Sequence, residues 1–323
     1  MIDQVPLVTI GILSWNRLHY LRAVIASAQR CIRYPQLEWI VSDNMSEEPG
    51  LRDYLESIDG IDRKIFQRQS HAAAMNQIVE RASGDFVMLL PDDAQFVVEG
   101  DWLHDMAELL KTHAWIGSIA LDFTSRQRNH RQFSRGWAGP IRELLRHGRR
   151  WRPPRLVRSS NHYGLRTLGN RLPGIAPAGI LSLTRKSVWQ QLGPWREAAV
   201  DGDIVDSSMG AEDDMFVRFV ESGLPLQRAH PLLPVAASIL TDPSGTAAKV
   251  RGEYRYGLYT PPAKGDLYYR IWRQERLAAK VKGRFPLSFE DWVQPLEGQL
   301  PLDEAGNLLK SSINLDIAER VAP

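Results

Sequence analysis

With 323 residues, 43% of them apolar and 24% charged, the chain has the ordinary composition of a globular protein and can bury the core of one large α/β domain with an appendage. No apolar run approaches the ~20 residues that cross a bilayer, and Met1–Leu7 has no charged segment leading into an apolar one, so a cytoplasmic location is expected. A single cysteine, Cys31, excludes an internal disulfide and a thiolate zinc site, while the net charge of +2 hides thirteen Arg, no Lys and one acid between Arg126 and Arg171, a segment at +12 against −10 for the remainder.

Leu7–Leu13 (LVTIGIL) is a β-branched apolar run expected to be a buried strand, followed at once by Ser14-Trp15-Asn16-Arg17. Leu18, Leu21, Ile25, Ala28 and Ile32 recur at three- and four-residue intervals, which predicts an amphipathic helix with Asn16 near its start as the cap. Glu38–Ser42 is a second strand that runs into Asp43-Asn44-Met45-Ser46. The first 46 residues therefore form the strand–helix–strand crossover of a parallel sheet. Arg52–Ser57 is expected to be a short helix and Lys64–Gln67 a short strand; Ala72, Met75, Val79 and Ala82 mark one face of a helix closed by Gly84. Phe86–Leu90 is a buried strand that stops at Pro91. Beyond it, helices are expected at Asp101–Lys111, at Lys186–Leu192 (ended by Gly193) and at Met215–Val220, with strands at Ile116–Phe123, Ala178–Thr184 and Val235–Leu240.

Asp92 and Asp93 emerge side by side from the apolar run that ends at Leu90. Adjacent carboxylates at the end of a buried strand need a positive partner. A divalent metal carrying a diphosphate is one, because hard cations take carboxylate oxygens and share them with substrate phosphates. Ligands of open parallel sheets collect at the carboxyl ends of the strands, where Asn16, Asp43 and Asp92-Asp93 all fall. A solvated acidic turn is the plain alternative for the pair taken alone.

Four stretches in order, VTIGILSWNRLHYL (Val8–Leu21), IVSDNMS (Ile40–Ser46), GDFVMLLPDD (Gly84–Asp93) and GAEDDMFVRFVESG (Gly210–Gly223), resemble a family 2 glycosyltransferase over roughly residues 5–240. No glycine-rich G-x-G-x-x-G follows the first strand, which counts against a dinucleotide-binding domain. The resemblance implies an α/β fold, the GT-A type Rossmann-like three-layer sandwich with a mostly parallel central sheet. It also implies an inverting, metal-dependent enzyme that moves a sugar from a nucleotide-diphospho-sugar, a UDP-sugar in most members, to a hydroxyl of a glycan or lipid-linked acceptor. Carried over by position, it implies that Asp43 reads the nucleobase, that Asn16, Arg17, Asn44, Ser46 and Asn76 line the donor, that Asp92 faces the ribose, and that Asp93, with Asp92 beside it, ligates Mn²⁺ or Mg²⁺. Pro91 stands where the commoner motif has a first acid, which leaves the division between Asp92 and Asp93 open. Glu212-Asp213 resembles the family's acid pair, with Asp213 as general base and Glu212 orienting the acceptor. Asp242 stands nearer than His230 to the position of the family's late metal-site histidine; either could serve, and a plain turn is the favoured reading for both.

The expected organisation is a catalytic domain over 1–244, made of a nucleotide-sugar and metal-binding half (1–123), an Arg-rich basic insertion loop (124–175) with one short helix at Ile141–Arg146, and an acceptor-binding half (176–244). A C-terminal helical extension, 245–323, follows. Arginine without lysine favours bidentate recognition of phosphate or carboxylate, so the insertion is expected to serve an anionic acceptor such as a lipid-linked pyrophosphate sugar. No RNA-binding motif accompanies the charge, and nucleic acid is not expected as a partner. Asp266–Lys282 combines Tyr268, Ile271, Trp272 and Leu277 with basic residues, a helix suited to packing or to peripheral contact with the inner face of a membrane. The alternatives from other classes are a non-catalytic nucleotide-sugar or glycan-binding module on the same fold and an Arg-driven binder of anionic surfaces. Intact Asp43, Asp93 and Asp213 argue against the first.

Overall fold

The computed structural model describes residues 5–96, 98–121, 155–167, 181–196, 215, 218, 222, 224–233 and 235–236, with backbone alone at 237–238 and 284–286. Glu212, Asp213 and Asp242 lie outside the described residues, as do the helices expected at Ile141–Arg146 and Asp266–Lys282 and most of the one expected at Met215–Val220.

Strands and helices alternate through the first part of the chain: β1 (Val8–Ser14), α1 (Leu18–Cys31), β2 (Leu37–Asp43), α2 (Leu51–Ser57), β3 (Arg63–Phe66), α3 (His71–Arg81) and β4 (Phe86–Pro91). Two short strands, β5 (Ala94–Phe96) and β6 (Val98–Gly100), lead to α4 (Trp102–Thr112) and β7 (Ile116–Ala120). There follow β8 (Leu156–Arg158), β9 (Gly164–Thr167), β10 (Ser182–Arg185), α5 (Lys186–Leu192), β11 (Gln227–Pro231), β12 (Ala236–Ser238) and β13 (Arg284–Pro286). Among the described residues, nine strands share one sheet in the order β3-β2-β1-β4-β10-β7-β11-β9-β8. Only β9 and β10 run against the others, so the sheet is mostly parallel, as expected.

Alternation along the central strands builds a layer on each face of the sheet. Ile10, Ile12, Met88 and Leu90 meet α1, α2 and α4 through Val24, Ile25, Leu51 and Trp102. Leu13, Val87 and Leu89 meet α3 and α5 through Met75, Ile78, Val188 and Trp189 on the other face. Gly11 lies under this second layer, where a Cβ would stand 2.3 Å from Ile78 Cγ2, so the helix comes closer to β1 than any side chain permits. Among the described residues no helix is long and apolar enough to cross a membrane.

Three local expectations are corrected, and one strand is added. Asn16 does not cap α1; the first helical N–H, that of Leu18, donates to Glu48 Oε2 at 2.7 Å, so the cap comes from the loop after β2. Gly84 does not close α3, which ends at Arg81. It lies instead against β1, donating its N–H to Thr9 Oγ1 at 3.0 Å, where a Cβ would stand 2.7 Å from Thr9 N. The Arg-rich stretch is not all loop: β8 and β9 form an antiparallel hairpin on the edge of the central sheet. Strands of three and four residues with arginines on the exposed face carry too little alternation to show in the sequence. β11 (QRAHP) was missed because polar Gln, Arg and His break its apolar pattern, although its residues are mostly buried; it takes His230 into the sheet, between β7 and β9. Gly193 ends α5 at φ 78°, as expected.

Candidate functional site

Parallel register gathers the polar strand ends. Ser14 pairs with Asp43, and Leu13 with Pro91, so the ends of β2 and β4 lie on either side of the end of β1. At the ~4.8 Å spacing of strands, these two ends are ~10 Å apart.

The loop after β1 is locked to the loop after β2. Asn16 takes a left-handed conformation, φ 50°, which asparagine tolerates better than most residues. Its main-chain N–H donates to Ser46 Oγ at 2.8 Å, and its side-chain oxygen accepts from the N–H groups of Glu47 (2.7 Å) and Glu48 (3.2 Å). Ser46 in turn donates through its hydroxyl to Asp43 Oδ1 at 2.5 Å and through its N–H to Oδ2 at 2.8 Å. Burial pushes the Asp43 carboxyl above the usual carboxylate range; the Ser46 and Ser14 hydrogen bonds pull it back, and the charge of Asp92 adds to the rise. Ser46 occupies one acceptor position on each Asp43 oxygen and Ser14 draws on the same carboxyl, so only part of its capacity is left for a ligand donor.

Asp92 and Asp93 form the turn between β4 and β5, and both are buried, at 1% and 5% exposure. Arg17 Nε donates to Asp92 Oδ2 at 3.1 Å, and Nη2 pairs with Oδ1. The Trp15 N–H donates to Oδ2 at 3.3 Å. An arginine side chain with only 10% exposure therefore neutralises Asp92 from within the chain. Asp93 adjoins Asp92 in the same buried turn. Among the described residues no group of three His, Cys, Asp or Glu side chains could hold a metal by itself. The short strand β12 pairs with β5, with Ser238 opposite Ala94, so the later part of the chain returns beside the Asp93 turn.

Asn44 is at this edge, its Oδ1 accepting from the Gln69 N–H at 2.6 Å. Asn76 is not brought into the cluster. Its amide donates to Trp195 O (2.9 Å) and accepts from Trp195 N–H (2.8 Å), tying α3 to the segment after α5.

Sequence reasoning passed over Glu48, Gln69 and His71. Gln69 Nε2 donates to Ser42 Oγ and to Gln77 Oε1, both at 3.0 Å, bracing the end of β2 against α3. Burial lowers the His71 pKa to about 4; Asp92 works against the shift and Arg17 with it, so a neutral imidazole stands near the ion pair. The available signal was Ser70, which caps α3 by accepting from the Ala73 N–H at 3.1 Å. A capped helix that starts just after a parallel strand puts its first residues at the carboxyl edge.

A model of the family described as glycosyl transferase family 2 matches residues 9–167. A curated protein of Sinorhizobium fredii (strain NBRC 101917 / NGR234), "Uncharacterized protein y4gI", is 32% identical over 112 residues, which are 33% of this chain and 12% of that protein. Among solved structures, S. aureus TarS 1-349 in complex with UDP-GlcNAc shares 11% identity over 90% of this chain and 71% of that one, at a TM-score of 0.47. The mannosyltransferase PcManGT from Pyrobaculum calidifontis, in complex with GDP-Man and Mn²⁺, shares 14% identity over 99% of this chain and 77% of that one, at a TM-score of 0.44.

Proposed function

We propose that this chain transfers a sugar, with inversion, from a nucleotide-diphospho-sugar to an acceptor hydroxyl, a reading that the match of residues 9–167 to the glycosyl transferase family 2 model supports. The observation that carries this is the convergence of Asp43, Asp92 and Asp93, all buried, at the ends of the two strands flanking β1, with Arg17 locked between the loops. Three acids and a guanidinium at one strand edge suit a ligand that carries both hydrogen-bond donors and a diphosphate.

In this reading Asp43 accepts from the nucleobase, and the N3–H of uracil makes a UDP-sugar the donor of choice. Asn16, Asn44 and Ser46 hold the loop that bears Asp43. Asp92, positioned by Arg17, faces the ribose. Asp93 holds Mn²⁺ or Mg²⁺, with Asp242 as a further candidate ligand. When bound, such an ion neutralises charge on the departing diphosphate. Asp213 takes the proton from the acceptor hydroxyl as its oxygen attacks the anomeric carbon; the bond to the diphosphate oxygen breaks on the opposite face, and Glu212 orients the acceptor. The Arg126–Arg171 segment serves an anionic glycan or lipid-linked acceptor, with peripheral contact at the inner membrane face.

The test is a panel of nucleotide-sugars screened by thermal shift with and without MnCl₂, followed by a transfer assay on the donor that stabilises. A bound donor raises the melting temperature by mass action, about 2.7 kcal/mol at a hundredfold excess over Kd. Asp93→Asn is expected to abolish the Mn²⁺-dependent part of the shift, and Asp213→Asn to keep the shift and lose transfer. Parental transfer by Asp213→Asn would remove the base assignment; no shift with any nucleotide-sugar would remove the function.

A further inference from the structure

At the opposite edge of the sheet, where β1 and β4 begin, lies a pocket of about 760 Å³. β4 runs from Phe86 beside this pocket to Pro91 beside the carboxylates. Its five residue steps separate the two places by ~17 Å at ~3.3 Å per residue. The pocket walls carry three cations, Lys111 near the end of α4 and Arg185 and Lys186 at the junction of β10 and α5, against one carboxylate, Asp85. Ser187 and Gln190 add neutral polar groups. The volume is that of a small-molecule site.

Two of these cations, Arg185 and Lys186, are held in place by neutral groups. Arg185 rests on the face of Phe86, 5.9 Å from the ring centroid, and donates from Nε to Ile116 O at 3.1 Å and from Nη2 to His113 O at 3.3 Å. Lys186 Nζ donates to Ala82 O. Among the described residues no ion pair joins Arg185 or Lys186 to a carboxylate. Burial lowers the Arg185 pKa. Carbonyl anchors fix where the charge sits without cancelling it, which pre-organises the wall for an anion. A guanidinium beside an ammonium offers several donors to one phosphate group.

We infer that this pocket is a second, metal-independent site that binds a phosphate-bearing small molecule through Arg185, Lys186 and Lys111. The site is independent of the donor reading, since it shares no residue with the Asp43–Asp93 edge.

Calorimetric titration of the full chain with inorganic pyrophosphate in EDTA tests it, because chelation removes any metal-dependent binding at Asp93. Saturable binding is expected, unchanged in Asp93→Asn and weakened at least tenfold in Lys111→Gln/Lys186→Gln. Because Lys186 also bonds a carbonyl, Lys111→Gln alone, with a parental urea midpoint, is the second variant and is expected to weaken binding at least threefold. Absence of saturable binding, equal affinity in the lysine variants, or loss in Asp93→Asn would each overturn the site. None of these results bears on the nucleotide-sugar screen, which is read with MnCl₂ at the other edge.

Discussion

Arg17 and Asp92, 75 residues apart, close on each other as a two-pronged buried ion pair that fastens the loop after β1 to the turn after β4. The pair neutralises Asp92 from within the chain. Removing one partner leaves a buried charge, whereas replacing both with apolar groups of similar volume is often close to neutral. Arg17→Ala is therefore expected to lose about 3–5 kcal/mol in urea unfolding, and Arg17→Met/Asp92→Leu to recover most of it. The recovered fold is expected to show no donor-induced thermal shift. A double variant as unstable as Arg17→Ala would contradict the ion-pair account, and one that still binds donor would take the pair out of the site.

Asn76 separates structural from functional roles. With both ends of its amide bonded to the Trp195 main chain, Asn76→Ala is expected to cost ~1–3 kcal/mol in stability and to leave the donor-induced shift at its parental size. Loss of that shift in a variant with parental stability would return Asn76 to the donor site.

Glu38 makes the fold acid-sensitive. Its burial raises the pKa, but hydrogen bonds from the Thr9 hydroxyl (2.6 Å), the Ser83 N–H (2.7 Å) and the Ser83 hydroxyl (2.9 Å), with the charge of Arg63, outweigh this and leave it below the ordinary 4.5. A carboxyl whose folded pKa lies below its unfolded value stabilises fully above the unfolded pKa and loses that contribution as pH falls through the folded one. Stability should therefore decline below pH 4.5 in the parent, and Glu38→Gln should be weaker at neutral pH with a flatter acid limb. Urea midpoints between pH 3 and 7 would show parallel curves if Glu38 plays no such part.

Gly11 tests the packing of α3. The Cβ of Gly11→Ala would meet Ile78 Cγ2 at 2.3 Å, so the helix must shift or Ile78 change rotamer. A loss of ~1–3 kcal/mol is expected, with partial recovery in Gly11→Ala/Ile78→Val. Additive losses in the double variant would show that the two positions do not meet.

Much of this was legible in one dimension, for local reasons. The run Val8–Leu13 and the spacing of Leu18, Leu21, Ile25 and Ala28 report burial through periods of 2 and 3.6, and those periods are set within a single strand or helix. Asp43 and Asp92-Asp93 were found at strand ends because apolar runs stop there. β8, β9 and β11 escaped because they are short, arginine-bearing or both, and their pairing is supplied by neighbours such as β7 rather than by their own pattern. Asn16 was misjudged as a cap because a residue before a helix has two places to send its side chain. Here the backbone of Glu47 and Glu48 won, and Glu48 supplied the cap in exchange.

The sequence by itself determined the alternation of strands and helices, the sheet's prevailing direction and the carboxyl edge on which Asp43, Asp92 and Asp93 stand, because each follows from short-range periodicity and from the right-handed crossover. Tertiary structure alone decided that Arg17 pairs with Asp92, that Asn76 serves Trp195, and that Lys111, Arg185 and Lys186 share a wall with Asp85. Those outcomes depend on which of several partners, tens of residues away, arrives within hydrogen-bond distance once the layers have packed, and no local pattern encodes that choice.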